Sequence, residues 1–325
     1  MTSGAPRRIA LAVGDPNGIG PEIALRTVAA YRGRAEIELG LVGPRNALQR
    51  CAASLGMHEL LESARLHPVD DLPPADLRPG SICASAGAAA VAAAQLAIAL
   101  ARDGHYDAVV AAPHHETAIA RAGIDFSGYP SLVARCCGLP GEQVFLLLIG
   151  GGLRIVHATL HESVAHALQR LRPGLVADAA RAGVAALRRM GLECPRVALM
   201  GINPHAGEGG LFGDEDQRIT MPAARMLREQ GLRVDEPAGA DVLLAAREHD
   251  LYVAMLHDQG HIPIKLLSPR RATAVSVGAD VVFSSVGHGS AMDIAGRALA
   301  SPQAMVETVA LLGAVSVPES QGSRP

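Results

Sequence analysis

The chain has no tryptophan and only four tyrosines and four phenylalanines in 325 residues. Proteins that hold nucleic acid need rows of stacking rings or an excess of Lys and Arg along the phosphates. Here 29 basic residues face 32 acidic ones, a net charge of −3, so nucleic acid is not expected as a partner. The five cysteines are an odd number without Cys-x-x-Cys spacing. They argue against a disulfide scaffold and agree with a reducing compartment, so the expected location is the cytoplasm. The first apolar run, after Arg7 and Arg8, breaks at Gly14-Asp15-Pro16. It is too short for a signal peptide or a membrane span, and no membrane partner is expected.

What is present is aliphatic. Val-, Ile- and Leu-rich runs alternate with alanine- and arginine-rich amphipathic stretches, the pattern of strands buried on both faces and covered by helices. The fold class is therefore α/β, and the length fits two domains. Strands are expected at Ile9–Val13, Ile37–Val42, Ala108–Ala112, Val144–Leu148, Arg154–Thr159, Val197–Gly201, Leu251–Leu256 and Val281–Ser285. Helices are expected at Pro21–Tyr31, Ser85–Arg102, Glu162–Arg170, Pro173–Met190, Ile219–Glu229 and Pro302–Leu312. The polar tail after Val317 is expected to fray.

Three histidines lie where strands should empty into loops: His161, His205 in Asn203-Pro204-His205-Ala206-Gly207-Glu208, and His257 in His257-Asp258-Gln259. Each alone reads as an ordinary satisfied core histidine. Together they read as an open metal site, since imidazoles bind divalent ions and pass their other ring nitrogen to an acceptor such as Asp258. Gly14-Asp15-Pro16-Asn17-Gly18-Ile19-Gly20-Pro21-Glu22 follows the first strand and opens the first helix. It reads either as a ligand loop, with Gly14, Asp15, Gly18 and Gly20 the candidate cofactor positions, or as a plain strand-to-helix turn. Its spacing is not G-x-G-x-x-G. His114 and His115 read as substrate donors or as a solvated pair. Lys265 reads as a proton carrier or as a surface lysine.

The glycine segment, Asn203 to Gly210, His257-Asp258-Gln259-Gly260 and Gly287-His288-Gly289-Ser290-Ala291 together resemble, in order, signatures of the 4-hydroxythreonine-4-phosphate dehydrogenase family. The resemblance spans nearly the whole chain. It implies two α/β/α domains of isopropylmalate-dehydrogenase-like architecture with a cleft active site, here placed at 1–127 plus 289–325 and at 128–288, the second carrying the metal ligands and dimer contacts. It further implies NAD and one divalent metal ion per site, zinc first with iron, cobalt or manganese as alternatives. The ligands carried over are His161, His205 and His257, in a homodimer whose shared site takes one ligand from the partner. The family's catalytic carboxylates fall on Asp241 and Asp258, and its substrate-contacting lysine on Lys265.

The departures from the family concern substrate. Gly128-Tyr129-Pro130-Ser131 stands where the family has Gly-His-Thr-Glu, and Ala274 and Phe283 stand where it has Asn and Arg. Charge-assisted donors for a phosphorylated substrate are thereby removed. This altered set, with His114-His115-Glu116 and Leu153 to Ser163, resembles a subgroup, the terephthalate cis-dihydrodiol dehydrogenases. The subgroup implies oxidative decarboxylation of 1,2-dihydroxy-3,5-cyclohexadiene-1,4-dicarboxylate to protocatechuate, with Tyr129, Pro130, His114, His115, Ala274 and Phe283 at the substrate. The rival readings are a hydroxythreonine-phosphate dehydrogenase and, in another class, a three-histidine metal-dependent hydrolase.

Overall fold

The computed structural model describes residues 5–269 and 272–318. The tail expected to fray falls mainly on residues 319–325, outside the described ones. The chain divides into two compact units, Met1–Leu132 with Val281–Pro325, and Val133–Asp280.

In the first unit β1 (Arg7–Ala12), β2 (Ile37–Pro44), β3 (Arg65–Val69) and β4 (Ala108–Ala111) precede a long excursion of the chain. The second unit holds β5 (Phe145–Gly150), β6 (Leu153–His157), β7 (Arg196–Leu199), β8 (Arg233–Val234), β9 (Leu251–Ala254) and β10 (Thr273–Val277), and the chain then returns to the first as β11 (Phe283–Val286). Each strand expected from the sequence is present, with ends shifted by a residue or two; β3, β8 and β10 are additional.

The strands of the first unit lie in the order β3-β2-β1-β4-β11 and pair in parallel throughout. A parallel sheet needs cover on both faces, and β4 is accordingly buried at every position. The alanine-rich helix Ala84–Arg102 supplies part of that cover with Ala86, Ala90, Ala93, Ala94 and Ala97. By length and composition it could cross a membrane, but half of it is buried in the protein, and it is a core helix.

The strands of the second unit lie in the order β10-β5-β6-β9-β7-β8. The β10–β5 and β5–β6 pairs are antiparallel and the rest parallel. Side chains alternate between two cores at the two-residue period of a strand. Leu147, Val156, Leu199 and Val253 face one cluster, which includes the helix Pro173–Arg189. Leu148, Ile155, Ala198 and Tyr252 face the other, with Leu243 and Ile264 from the helices Ala240–Ala246 and His257–Leu267.

Candidate active site

β6, β9 and β7 are neighbours and run parallel, so the segments leaving their carboxyl ends share one edge of the sheet. In open α/β sheets that edge is where ligands bind. His161 sits in the loop after β6, His205 in the turn after β7, and His257 opens a helix at the end of β9. His161 and His205 are exposed and His257 is half-buried. The rings of His161 and His257 are 5.7 Å apart. His257 Nδ1 lies 2.7 Å from Asp258 Oδ1. Donation of that N–H to the carboxylate leaves the lone pair on Nε2, the arrangement of a metal-binding imidazole held by an acceptor. Gln259 fixes the backbone alongside: its Oε1 accepts from the Met255 and Leu256 amides at 2.9 and 3.1 Å, and its Nε2 donates to Gly201 O at 2.8 Å.

His205 belongs to a left-handed turn, with φ of 54, 53, 85, 41 and 66° from His205 to Gly209. Left-handed backbone costs about 1–2 kcal/mol at each residue bearing a β-carbon, here His205, Ala206 and Glu208. The fully buried Asp216 holds the entry to this turn, accepting from the Ile202 and Asn203 amides at 2.8 and 2.9 Å and from Thr220 Oγ1 at 2.8 Å. Asp241, exposed in the first turn of Ala240–Ala246, is close to the same turn. A β-carbon placed on Gly239 would lie 2.6 Å from Asp241 Oδ1 and 3.7 Å from His205 Cα. Among the described residues no three His, Cys, Asp or Glu side chains gather closely enough to hold a metal ion. The ring of His161 neighbours that of His257, while the ring neighbour of His205 is Phe212 at 6.1 Å. The donor chemistry nevertheless fits a divalent ion.

Two further histidines belong to this cluster. His261 stacks on His257 with ring centroids 3.7 Å apart and planes 10° from parallel, and His157, fully buried at the end of β6, lies 4.7 Å from His261. Burial, aided by the neighbouring imidazoles, pushes His157 down to about 3. Burial, aided by His257, His161 and Lys265, pushes His261 down to about 4. Both rings are neutral at ordinary pH. The signal for His261 was in the sequence: His257, His261 and Lys265 recur every four residues, one face of a helix. It was obscured because Gly260 and Pro263 argue against a helix there. His157 carried its own signal, as a polar side chain in a strand otherwise buried on both faces.

The first unit holds a cavity of about 390 Å³ lined by His114, His115, Glu116, Tyr129, His288 and Ser290 among others. Tyr129 is buried, donates its hydroxyl to Ala112 O at 3.1 Å, and packs edge-on against His114 and Phe126 at 4.8 and 5.7 Å. Phe283 is fully buried and 4.9 Å from the Tyr129 ring, and it does not line the cavity. Pro130 is half-buried beside Tyr129, and Ala274 is half-buried on β10 at the margin of the second unit's core. Burial pushes His114 down to about 4, so it is a neutral donor or acceptor. Asp15 Oδ2 and His115 Nδ1 are buried without a hydrogen-bond partner. Burial raises the Asp15 carboxyl above its ordinary range, against the opposing pull of the Asn17 and Gly18 amides and His115.

The glycine loop is buried from end to end. Four of its amides are bonded within the protein, Asp15 N to Pro113 O, Asn17 N to Asp15 Oδ1, Gly18 N to Asp15 O and Ile19 N to Ser290 O, all within 3.0 Å. A β-carbon on Gly14 would lie 2.3 Å from the Pro113 oxygen, and one on Gly20 1.9 Å from the Val13 oxygen. These glycines permit close backbone packing, and of the candidate cofactor positions Gly14, Asp15, Gly18 and Gly20 the amides of Asp15 and Gly18 are already bonded within the protein. The loop also holds the Ser290 segment that lines the cavity.

The family model described as pyridoxal phosphate biosynthetic protein PdxA matches residues 33–312. The chain is 55% identical over 309 residues to the 1,2-dihydroxy-3,5-cyclohexadiene-1,4-dicarboxylate dehydrogenase of a Comamonas species, covering 95% of this chain and 98% of that protein. Among solved structures it is similar to a terephthalate 1,2-cis-dihydrodiol dehydrogenase from Burkholderia xenovorans LB400, with 48% identity, a TM-score of 0.73 and coverage of 95% and 98%. It is also similar to a 4-hydroxythreonine-4-phosphate dehydrogenase from Burkholderia phymatum, with 34% identity, a TM-score of 0.79 and coverage of 95% and 99%.

Proposed function

Because this chain belongs to the PdxA family of dehydrogenases, we propose that it oxidises and decarboxylates 1,2-dihydroxy-3,5-cyclohexadiene-1,4-dicarboxylate to protocatechuate, using NAD and a divalent metal ion, zinc first. The observation that carries this reading is the 55% identity, over 95% of the chain, to the Comamonas dehydrogenase of that diol. The cavity chemistry agrees. Its Tyr129 wall is aromatic and has its hydroxyl already committed, which suits a flat ring and offers little to a phosphate. Membership of a dehydrogenase family leaves the hydrolase reading without support.

When bound, the metal ion would supply a Lewis acid for the diol oxygens and NAD an acceptor for the hydride. His161 and His257 would hold the ion with His205, and the cavity segment His288–Ser290 would take the cofactor. Asp258 keeps the Nδ1 proton of His257 in place and Asp241 stands beside the His205 turn; these carboxylates serve as acceptors for the alcohol proton. The C–H of the secondary alcohol leaves as hydride and its O–H as a proton, which makes a β-keto acid. The C–COO⁻ bond then breaks, its electron pair enters the ring, and CO₂ departs. Lys265 would donate to, and exchange a proton with, the oxygen that alternates between ketone and enol. Neutral His114, and His115 through an Nδ1 that has no internal partner, would donate to the remaining ring carboxylate.

We further propose a homodimer in which His205 completes the partner's site. Two features support it: the ring neighbour of His205 is Phe212, not His161 or His257, and the second unit exposes Val164, Leu168, Leu211, Phe212, Ile262 and Leu266, at 44 to 78%. Val164 with Leu168, and Ile262 with Leu266, lie four apart on the helices Val164–Arg170 and His257–Leu267, so each pair makes an apolar stripe on one helix face for a partner to cover.

The test compares kcat/KM of zinc-loaded protein with NAD on the dihydrodiol and on 4-hydroxythreonine 4-phosphate. Turnover of the diol at least about 100-fold better is expected, since unpaired buried anionic groups cost about 2–5 kcal/mol each. Preference for the phosphorylated amino acid would replace this reading with the hydroxythreonine one.

A further inference from the structure

The hydrogen bonds of His157 and the His257 carbonyl agree on which nitrogen of His261 carries the proton. His157 Nδ1 is 3.1 Å from Leu146 O. A carbonyl only accepts, so Nδ1 bears the hydrogen, and a neutral ring buried without a carboxylate neighbour then has its lone pair on Nε2. That Nε2 lies 3.1 Å from His261 Nδ1. His261 Nδ1 must therefore donate, with the His257 carbonyl at 3.2 Å as a second acceptor. The consequence is a His261 ring protonated at Nδ1 and unprotonated at Nε2, stacked flat on His257.

The close approach is specified by the helix itself. A β-carbon on Gly260 would lie 2.2 Å from His157 Nε2, so only glycine admits the His157 ring against this turn. Glycine inside a helix costs about 1 kcal/mol relative to alanine, a cost without purpose unless that ring is needed there.

We propose that His157 and His261 are positioning residues for His257: His157, together with the His257 carbonyl, holds the tautomer of His261 and fixes its orientation, and the stacked His261 ring in turn fixes the ring of His257 for metal binding. The last step rests on the reading of His257 as a metal ligand. Neither residue needs to touch substrate.

Long-range ¹⁵N spectra of histidine-labelled, metal-free, full-length protein read the tautomers directly, without any variant. His261 is expected as the Nδ1–H form; finding it as Nε2–H overturns the proposal. In His157→Leu the His257 carbonyl still accepts from Nδ1, so the Nδ1–H form should persist while the ring loses its other anchor, and zinc affinity, measured by chelator competition, should fall about 10-fold or more, the usual effect of removing a partner behind a ligand. His157→Gln should restore the affinity, because its amide can donate to Leu146 O and accept from His261. A space-filling role would instead treat Leu and Gln alike, and unchanged zinc affinity in His157→Leu also overturns the proposal. His257→Ala separates the two readings: undiminished zinc affinity there removes His257 from the ligand set, and the spectra still judge the His157–His261 couple.

Discussion

Lys265 is the only lysine among the chain's 29 basic residues. An ammonium group can release and regain its proton near neutrality when its surroundings demand it, and a guanidinium cannot. An oxygen passing between ketone and enol needs such a group. Acetylation of amines can modify only Lys265 and the α-amine, and peptide mapping should find activity lost in step with Lys265, with the diol protecting it. Lys265→Met should lower kcat by about 100-fold or more with zinc affinity unchanged, and Lys265→Arg should not rescue it. Full activity in either variant would remove the proton-transfer role. His114 supplies a pH signature. Its ordinary value of 6.5 falls to about 4 in the folded protein, so the folded state refuses a proton that the unfolded chain accepts. Stability from this group is fully present above 6.5 and is lost as pH falls towards 4. Linkage gives a loss of about 2 kcal/mol between about pH 7 and pH 5. Urea unfolding of the parent and of His114→Phe at both pH values should differ in slope by that amount, and equal slopes would contradict the assignment.

At the scale of elements, the left-handed turn from His205 to Gly209 holds its strained backbone because Asp216 satisfies the two amides that precede it. Asp216→Ala leaves buried amide donors without an acceptor. It should destabilise the protein by about 2–4 kcal/mol in urea unfolding, and a change below about 0.5 kcal/mol would show that the turn is held elsewhere. The strands leading to the candidate site were legible because long Val, Ile and Leu runs such as Ile155-Val156 and Leu251–Ala254 can only be buried. The three candidate histidines were legible because they end those runs. The helix His257–Leu267 was not, since Gly260 and Pro263 argue against a helix while the reason for Gly260, the His157 ring packed on the turn, comes from a distant segment. The glycine loop read either as a ligand loop or as a plain turn because its amides are countable in sequence. Their partners on Pro113 and Ser290 are not.

At the scale of the whole molecule, the proposed sharing of ligands has an arithmetic consequence. If His161 and His257 serve one site of a dimer and His205 comes from the partner, mixing inactive His205→Ala with inactive His257→Ala protein regenerates one intact site in each mixed dimer. Random exchange makes half the dimers mixed, so about a quarter of parental activity should return. Mixing His161→Ala with His257→Ala should return none, because both losses fall on the same side of the site. Recovery in the second mixture and not in the first would reverse the assignment of which histidine crosses.

The central claim is that one site both oxidises and decarboxylates a ring diol, and product stoichiometry tests it most directly. Zinc-loaded protein given NAD and the cis-dihydrodiol should form NADH, CO₂ and protocatechuate in equal amounts. NADH without CO₂, or NADH from 4-hydroxythreonine 4-phosphate and none from the diol, would contradict the account.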